Sequence, residues 1–238
     1  MSYYGYPKQP SVAEKKEKAR KSLVKLKKKN SDIEPVIIEG SKLVKTWWGK
    51  AWNENLESYA DYENRITRGK SYVRNNAVLD LKISKGLIKA IVQGSRAKPY
   101  DVQIQIDPLS DEKWDQVTEL CNHRIDSLEQ LIEGKFPKEL EVLFMDRKYG
   151  IFPSPREIDF ACSCPDWASM CKHVAAALYG IGARLDVNPM LFFELRDLDG
   201  AELIRKSMDQ KIESMMKNAG KKSKREIPDK DISDIFGL

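Results

Sequence analysis

The chain has 238 residues, 41% hydrophobic and 32% charged, enough apolar material for one large or two small domains. No apolar run approaches the ~20 residues that a membrane helix needs. The formal net charge of +5 is unevenly spread, which argues against a uniformly basic surface. Residues 1–29 hold ten Lys/Arg against two Glu, and residues 217–225 hold five Lys/Arg and no acid. The stretch between them, 30–216, has 25 basic and 30 acidic residues. Basic flanks on a mildly acidic body attract phosphates without regard to sequence, or serve solubility alone.

In chain order, residues 1–35 form a basic arm, expected to be disordered. Within it, 12–29 has helix-forming composition but thin apolar content, so a helix is expected there only on binding. A short strand is possible at 36–38. Residues 41–59 read as an amphipathic helix capped by Ser41. Trp48, Trp52, Leu56 and Tyr59 fall on one face, either as packed core or as a base-stacking platform; helical spacing favours core. Residues 71–74 read as a strand. Alternation then predicts strands over 78–83, 87–92 and 102–106, with Lys85-Gly86 as a turn. Together these make an antiparallel meander whose apolar face a helix can cover. A helix follows over 111–133, capped by Ser110, with Cys121 on its apolar stripe and His123 opposite. Further helices are expected over 138–144, from Asn188-Pro189 to about 196, and over 200–218. The 219–238 segment is a basic linker ending in Ile232, Ile235, Phe236 and Leu238, which suit either a docking peptide or a strap onto the chain's own core.

One cluster carries chemistry. Cys162-Ser-Cys164 and Cys171-Lys-His173 offer three thiolates and an imidazole within twelve residues, a soft set suited to tetrahedral zinc. In an extended segment residues i and i+2 face one side, so Cys162 and Cys164 can meet one ion. Regular helix would separate them. Cys171 is therefore expected just before a helix and His173 in its first turn, with Val174, Ala177, Leu178, Ile181 and Leu185 as the apolar stripe beyond. Cys121 and His123 repeat the C-x-H spacing inside a helical pattern, where they cannot chelate one ion. With no apolar leader segment and with cysteines arranged as ligands, a cytoplasmic location is expected.

The C-x-C…C-x-H pattern before an alanine-rich helix resembles the SWIM-type zinc finger over residues 156–185. The resemblance implies a strand-turn-helix unit around one Zn2+ held by Cys162, Cys164, Cys171 and His173, binding DNA or protein. More widely, Trp47-Trp48-Gly49-Lys50-Ala51-Trp52, Arg68-Gly69-Lys70-Ser71-Tyr72-Val73-Arg74 and Gly94-Ser95-Arg96 are similar to prokaryotic SWIM-finger proteins often encoded near helicase-like ATPases. That similarity implies such an ATPase as a partner.

The densest basic–aromatic run in the body is Arg65, Arg68, Lys70, Tyr72 and Arg74. If 70–74 is extended, Lys70, Tyr72 and Arg74 share a face suited to a nucleic-acid backbone and one stacked base. A solvated face is the alternative. Lys172, between two ligands at a helix start, is a further phosphate contact. No phosphate-loop, zincin or nucleophile-elbow motif is present, and a zinc with four protein ligands has no open position for water.

The expectation is thus an α+β chain: an N-terminal domain at 36–150, then the finger and C-terminal helices at 151–218. Its expected role is a non-enzymatic zinc-binding module contacting nucleic acid, DNA foremost. The alternative is a protein–protein adaptor.

Overall fold

In the computed structural model, the structure describes residues 10–59, 63–121, 128–135, 137–168 and 170–218. The expected C-terminal peptide and His123 lie outside them. The fold is α+β, built on a four-stranded antiparallel sheet in the order β1-β2-β3-β4.

Helix α1, Val12–Lys29, begins with a complete capping box: Ser11 Oγ accepts from Glu14 N–H, and the Glu14 carboxylate accepts from Ser11 N–H. The arm is therefore helical on its own chain rather than only on a partner, and its Ala19 is 1% exposed. Helix α2, Trp47–Glu57, is capped by Thr46 and not by Ser41. The Asp186 carboxylate accepts from Lys45 N–H, Thr46 N–H and the Thr46 hydroxyl, which holds the cap at 46. Trp48 and Trp52 are core: the Trp48 indole donates to Leu131 C=O and the Trp52 indole to Leu178 C=O. They are not a stacking platform. Trp48 packs among Phe144, Phe152, Phe192 and Phe193.

The main correction falls on 70–74. These residues are not a strand but the end of helix α3, Glu63–Arg74. Ile66, Gly69 and Val73 form its buried face, at helical spacing. The helix is polar overall and contains a glycine, which costs about 1 kcal/mol in a helix interior. Its formation is decided by what it packs on. Lys70, Tyr72 and Arg74 consequently do not share a face.

Strands β1 (Val78–Ser84), β2 (Leu87–Val92) and β3 (Tyr100–Ile106) form the expected meander. Gly86, at φ +64°, makes the first turn. The 34–36 segment follows the free edge of β1: Val36 N–H donates to Val78 C=O and Leu81 N–H to Glu34 C=O. Helices α4 (Asp111–Leu120), α5 (Leu128–Glu133) and α6 (Lys138–Met145) follow. Cys121 is buried core. The fourth strand, β4 (Ile158–Cys162), pairs with β3, placing Cys162 opposite Val102.

Helix α7, Lys172–Val187, is buried nearly all round, as expected for a helix enclosed on several sides. It lies against the sheet and against both α2 and α3. Helices α8 (Met190–Leu195) and α9 (Gly200–Asn218) complete the described chain, with Pro189 at the N-cap of α8. Arg196 at the end of α8 is fully buried and donates to Asp107 C=O and the Glu157 carboxylate. One apolar core runs from Val36 to Leu195, with residues from both sides of position 150.

Candidate metal centre and cationic groove

Strand, loop and helix each contribute ligands. Along β4 the residues Ile158, Phe160 and Cys162 face one side. Ser163 is tied across to β3, its N–H donating to Asp101 C=O and its hydroxyl accepting from Asp101 N–H. That pair of bonds holds Cys162 and Cys164 in register. Cys171 is the N-cap of α7, with its sulfur accepting from Val174 N–H at 3.5 Å. His173 follows in the first turn.

The ligand atoms of Cys162, Cys164, Cys171 and His173 all lie within 4.8 Å of one another. His173 Nδ1 is 3.9 Å from Cys162 Sγ and 3.8 Å from Cys171 Sγ. A tetrahedral zinc with Zn–S of ~2.3 Å and Zn–N of ~2.0 Å would set such edges at roughly 3.6 Å. The four residues can therefore hold a metal ion, and three sulfurs with one imidazole suit zinc. Donation from Cys162, then His173 and the helix N–H groups, holds Cys171 low; the same bond and burial push Cys162 up. The second histidine nitrogen, Nε2, is buried without a partner. Its ring is packed between Tyr72 and Tyr100 and against Gly94, where a Cβ would lie 2.8 Å from Nε2.

Helix α3 approaches this centre because Gly69 has no side chain. A Cβ there would sit 2.6 Å from Ala175 Cβ and 2.8 Å from Ala175 C. Close contact of α3 with α7 brings Arg65 to the ligand loop and Tyr72 against His173. Arg65 Nη1 bonds Asp166 Oδ2 at 2.6 Å, pinning the loop between Cys164 and Cys171. Asp166 is held below the usual carboxylate range by Ala168 N–H and then by Arg65. Lys70 pairs with Glu57 at 2.8 Å. The same Glu57 accepts from the buried Tyr179 hydroxyl, whose pKa is raised first by burial and then by that bond. Arg65 and Lys70 thus hold the fold together. Arg74 is exposed.

Arg68, Tyr72 and Lys172 do come together. They line a groove of about 930 Å³ with Lys15 and Lys18 of α1, Asn75, Gln93 and Gly94. The two α1 lysines belong to the basic flank expected from sequence to attract phosphates, in which no single lysine stands out. The signal for them was the Ser11/Glu14 capping box, which marks a formed helix. Trp167, in the ligand loop, is 100% exposed. No described helix is long and apolar enough to cross a membrane.

No family model matches this chain, and no solved structure does. It is similar to an uncharacterized protein of Mycobacterium tuberculosis, Rv2102, with 33% identity over 163 residues. The aligned region is 68% of this chain and 58% of that protein, so the chain spans little more than half the length of its relative.

Proposed function

We propose that this chain is a non-enzymatic module of the SWIM zinc-finger kind, in which Zn2+ on Cys162, Cys164, Cys171 and His173 holds a surface that contacts nucleic acid, DNA foremost. The observation that carries this reading is the meeting of Arg68 and Lys172 in one groove beside the four ligands. Among the described residues neither forms a direct ion pair with a carboxylate, Lys172 acting on Asp166 only at longer range, whereas Arg65 and Lys70 do. Cations left unpaired in a concave surface attract phosphate. A role beside a helicase-like ATPase follows from the family resemblance. Four protein ligands leave a zinc no site for substrate water, which supports the non-catalytic assignment.

Binding of the metal-loaded full chain to labelled DNA across a salt series tests this. Affinity is expected to fall by roughly 0.7–0.9 log units per log unit of salt for each phosphate neutralised. Absence of binding at low salt would leave the adaptor reading. That second reading draws on the fully exposed Trp167 and on exposed Met208, Ile212 and Met215 of α9, at spacing that suits a helix laid in a partner's groove. Affinity recovery from native cells with mass spectrometry would then name the partner.

A further inference from the structure

The groove between α1, α3 and the end of β2 contains more than positive charge. Its cations are Lys15, Lys18, Arg68 and Lys172. Its one carboxylate among the described residues, Glu14, accepts from Ser11 N–H in the α1 capping box. Lys18 Nζ donates to Ser95 C=O, joining α1 to the loop after β2. At the base sits Gln93, only 4% exposed. Its side-chain Nε2 donates to Gly94 C=O at 2.9 Å and Arg96 C=O at 2.8 Å. These two acceptors fix which end of the amide is nitrogen. Its Oε1 is therefore a fixed acceptor, and it has no hydrogen-bond partner.

A buried acceptor without a donor is costly. Phosphate oxygens only accept, so the cations' natural ligand cannot supply what Gln93 lacks. The edge of a nucleobase has the missing donors, in its ring N–H and amino groups, and would reach Oε1, which is closed to solvent in the free protein, when the groove floor parts around it. In a duplex the Watson–Crick edges are already engaged; in a single strand they are open to protein. The groove's volume is within the roughly 300–1,000 Å³ of pockets that enclose a small ligand. A double helix could lie only across its mouth. Tyr72, half-buried on the wall, adds an aromatic surface of the kind on which unpaired bases stack.

We infer that the α1–α3 groove is a binding site for single-stranded nucleic acid, with an unpaired base at Gln93 and its flanking phosphates at Lys15, Lys18, Arg68 and Lys172. The inference rests on the nucleic-acid reading above and narrows it to one site and one strand state.

The test uses the metal-loaded full chain and fluorescence anisotropy with a labelled mixed-sequence 12-mer, as a single strand and as the duplex, in the same low-salt buffer. The single strand is expected to bind at least tenfold more tightly. The double variant Arg68→Ala/Lys172→Ala should lose tenfold or more for the single strand while keeping its metal content. Lys15→Ala, on the exposed side of α1 and remote in sequence from the ligands, should lose several-fold and guards against a folding artefact. Lys148→Ala, outside the groove, should change nothing. Duplex binding as tight as single-strand binding overturns the strand preference and leaves the broader reading standing. Unchanged affinity in both groove variants overturns the site. No binding of either form overturns this inference and the broader reading together.

Discussion

At the scale of single residues, the candidate centre depends on backbone placement more than on ligand chemistry alone. Cys162 and Cys164 face the same point because Ser163 is bonded on both sides to Asp101. Cys171 receives the Val174 N–H because it caps α7. A thiolate there meets the free N–H groups at a helix start. Cys164→Ser is expected to abolish stoichiometric metal binding. Structural zinc contributes on the order of 10 kcal/mol in small fingers, so loss of metal should also expose the 156–185 region to protease. Elemental analysis and limited proteolysis check both. Full metal content in the Ser variant would show that Cys164 is a bystander.

At the scale of elements, the contact between α3 and α7 joins the candidate metal centre to the groove. Gly69 faces Ala175 and the start of Ala176 with no space for a methyl group. Replacing glycine with alanine ordinarily favours a helix by about 1 kcal/mol. Here the added Cβ meets backbone, which cannot rotate away, and overpacking costs ~1–3 kcal/mol. Gly69→Ala is therefore expected to destabilise the protein despite the better helix former. Urea denaturation of the metal-loaded variant measures this, and a rise in midpoint would show that the two helices can separate without cost. The close approach also explains the different fates of neighbouring cations: Arg65 and Lys70 meet carboxylates of other elements, while Arg68 meets the groove.

At the scale of the whole molecule, charge is organised by placement. The body from 30 to 216 has more acids than bases, yet its groove wall gathers Arg68 and Lys172 and borrows Lys15 and Lys18 from α1. Removing residues 1–29 should then do more than lower net charge. It takes away one wall of the groove and the Lys18 bond to Ser95. The slope of log affinity against log salt is expected to flatten by at least ~0.7, the equivalent of one phosphate on a single strand. An unchanged slope and affinity would mean that the N-terminal bases serve solubility alone.

The sequence by itself determined which four residues come together as candidate ligands, and the elements that present them. The i, i+2 cysteines require extended backbone and the C-x-H pair requires a helix start, and β4 and α7 supply them. It also determined the meander, through period-two alternation and the Lys85-Gly86 turn, and the core role of Trp48 and Trp52, through helical spacing. These are local constraints, legible within a few residues. The tertiary structure alone decided that 70–74 is helix, because α3 has weak helix-forming composition and depends on contact with α7 across the Gly69 gap. It likewise decided that the strand leading into Cys162 is the fourth strand of the meander's sheet, since β-pairing joins residues far apart in the chain. The groove was hidden for the same reason. Its cations come from residues 15, 18, 68 and 172, and no local pattern relates positions that only folding brings together.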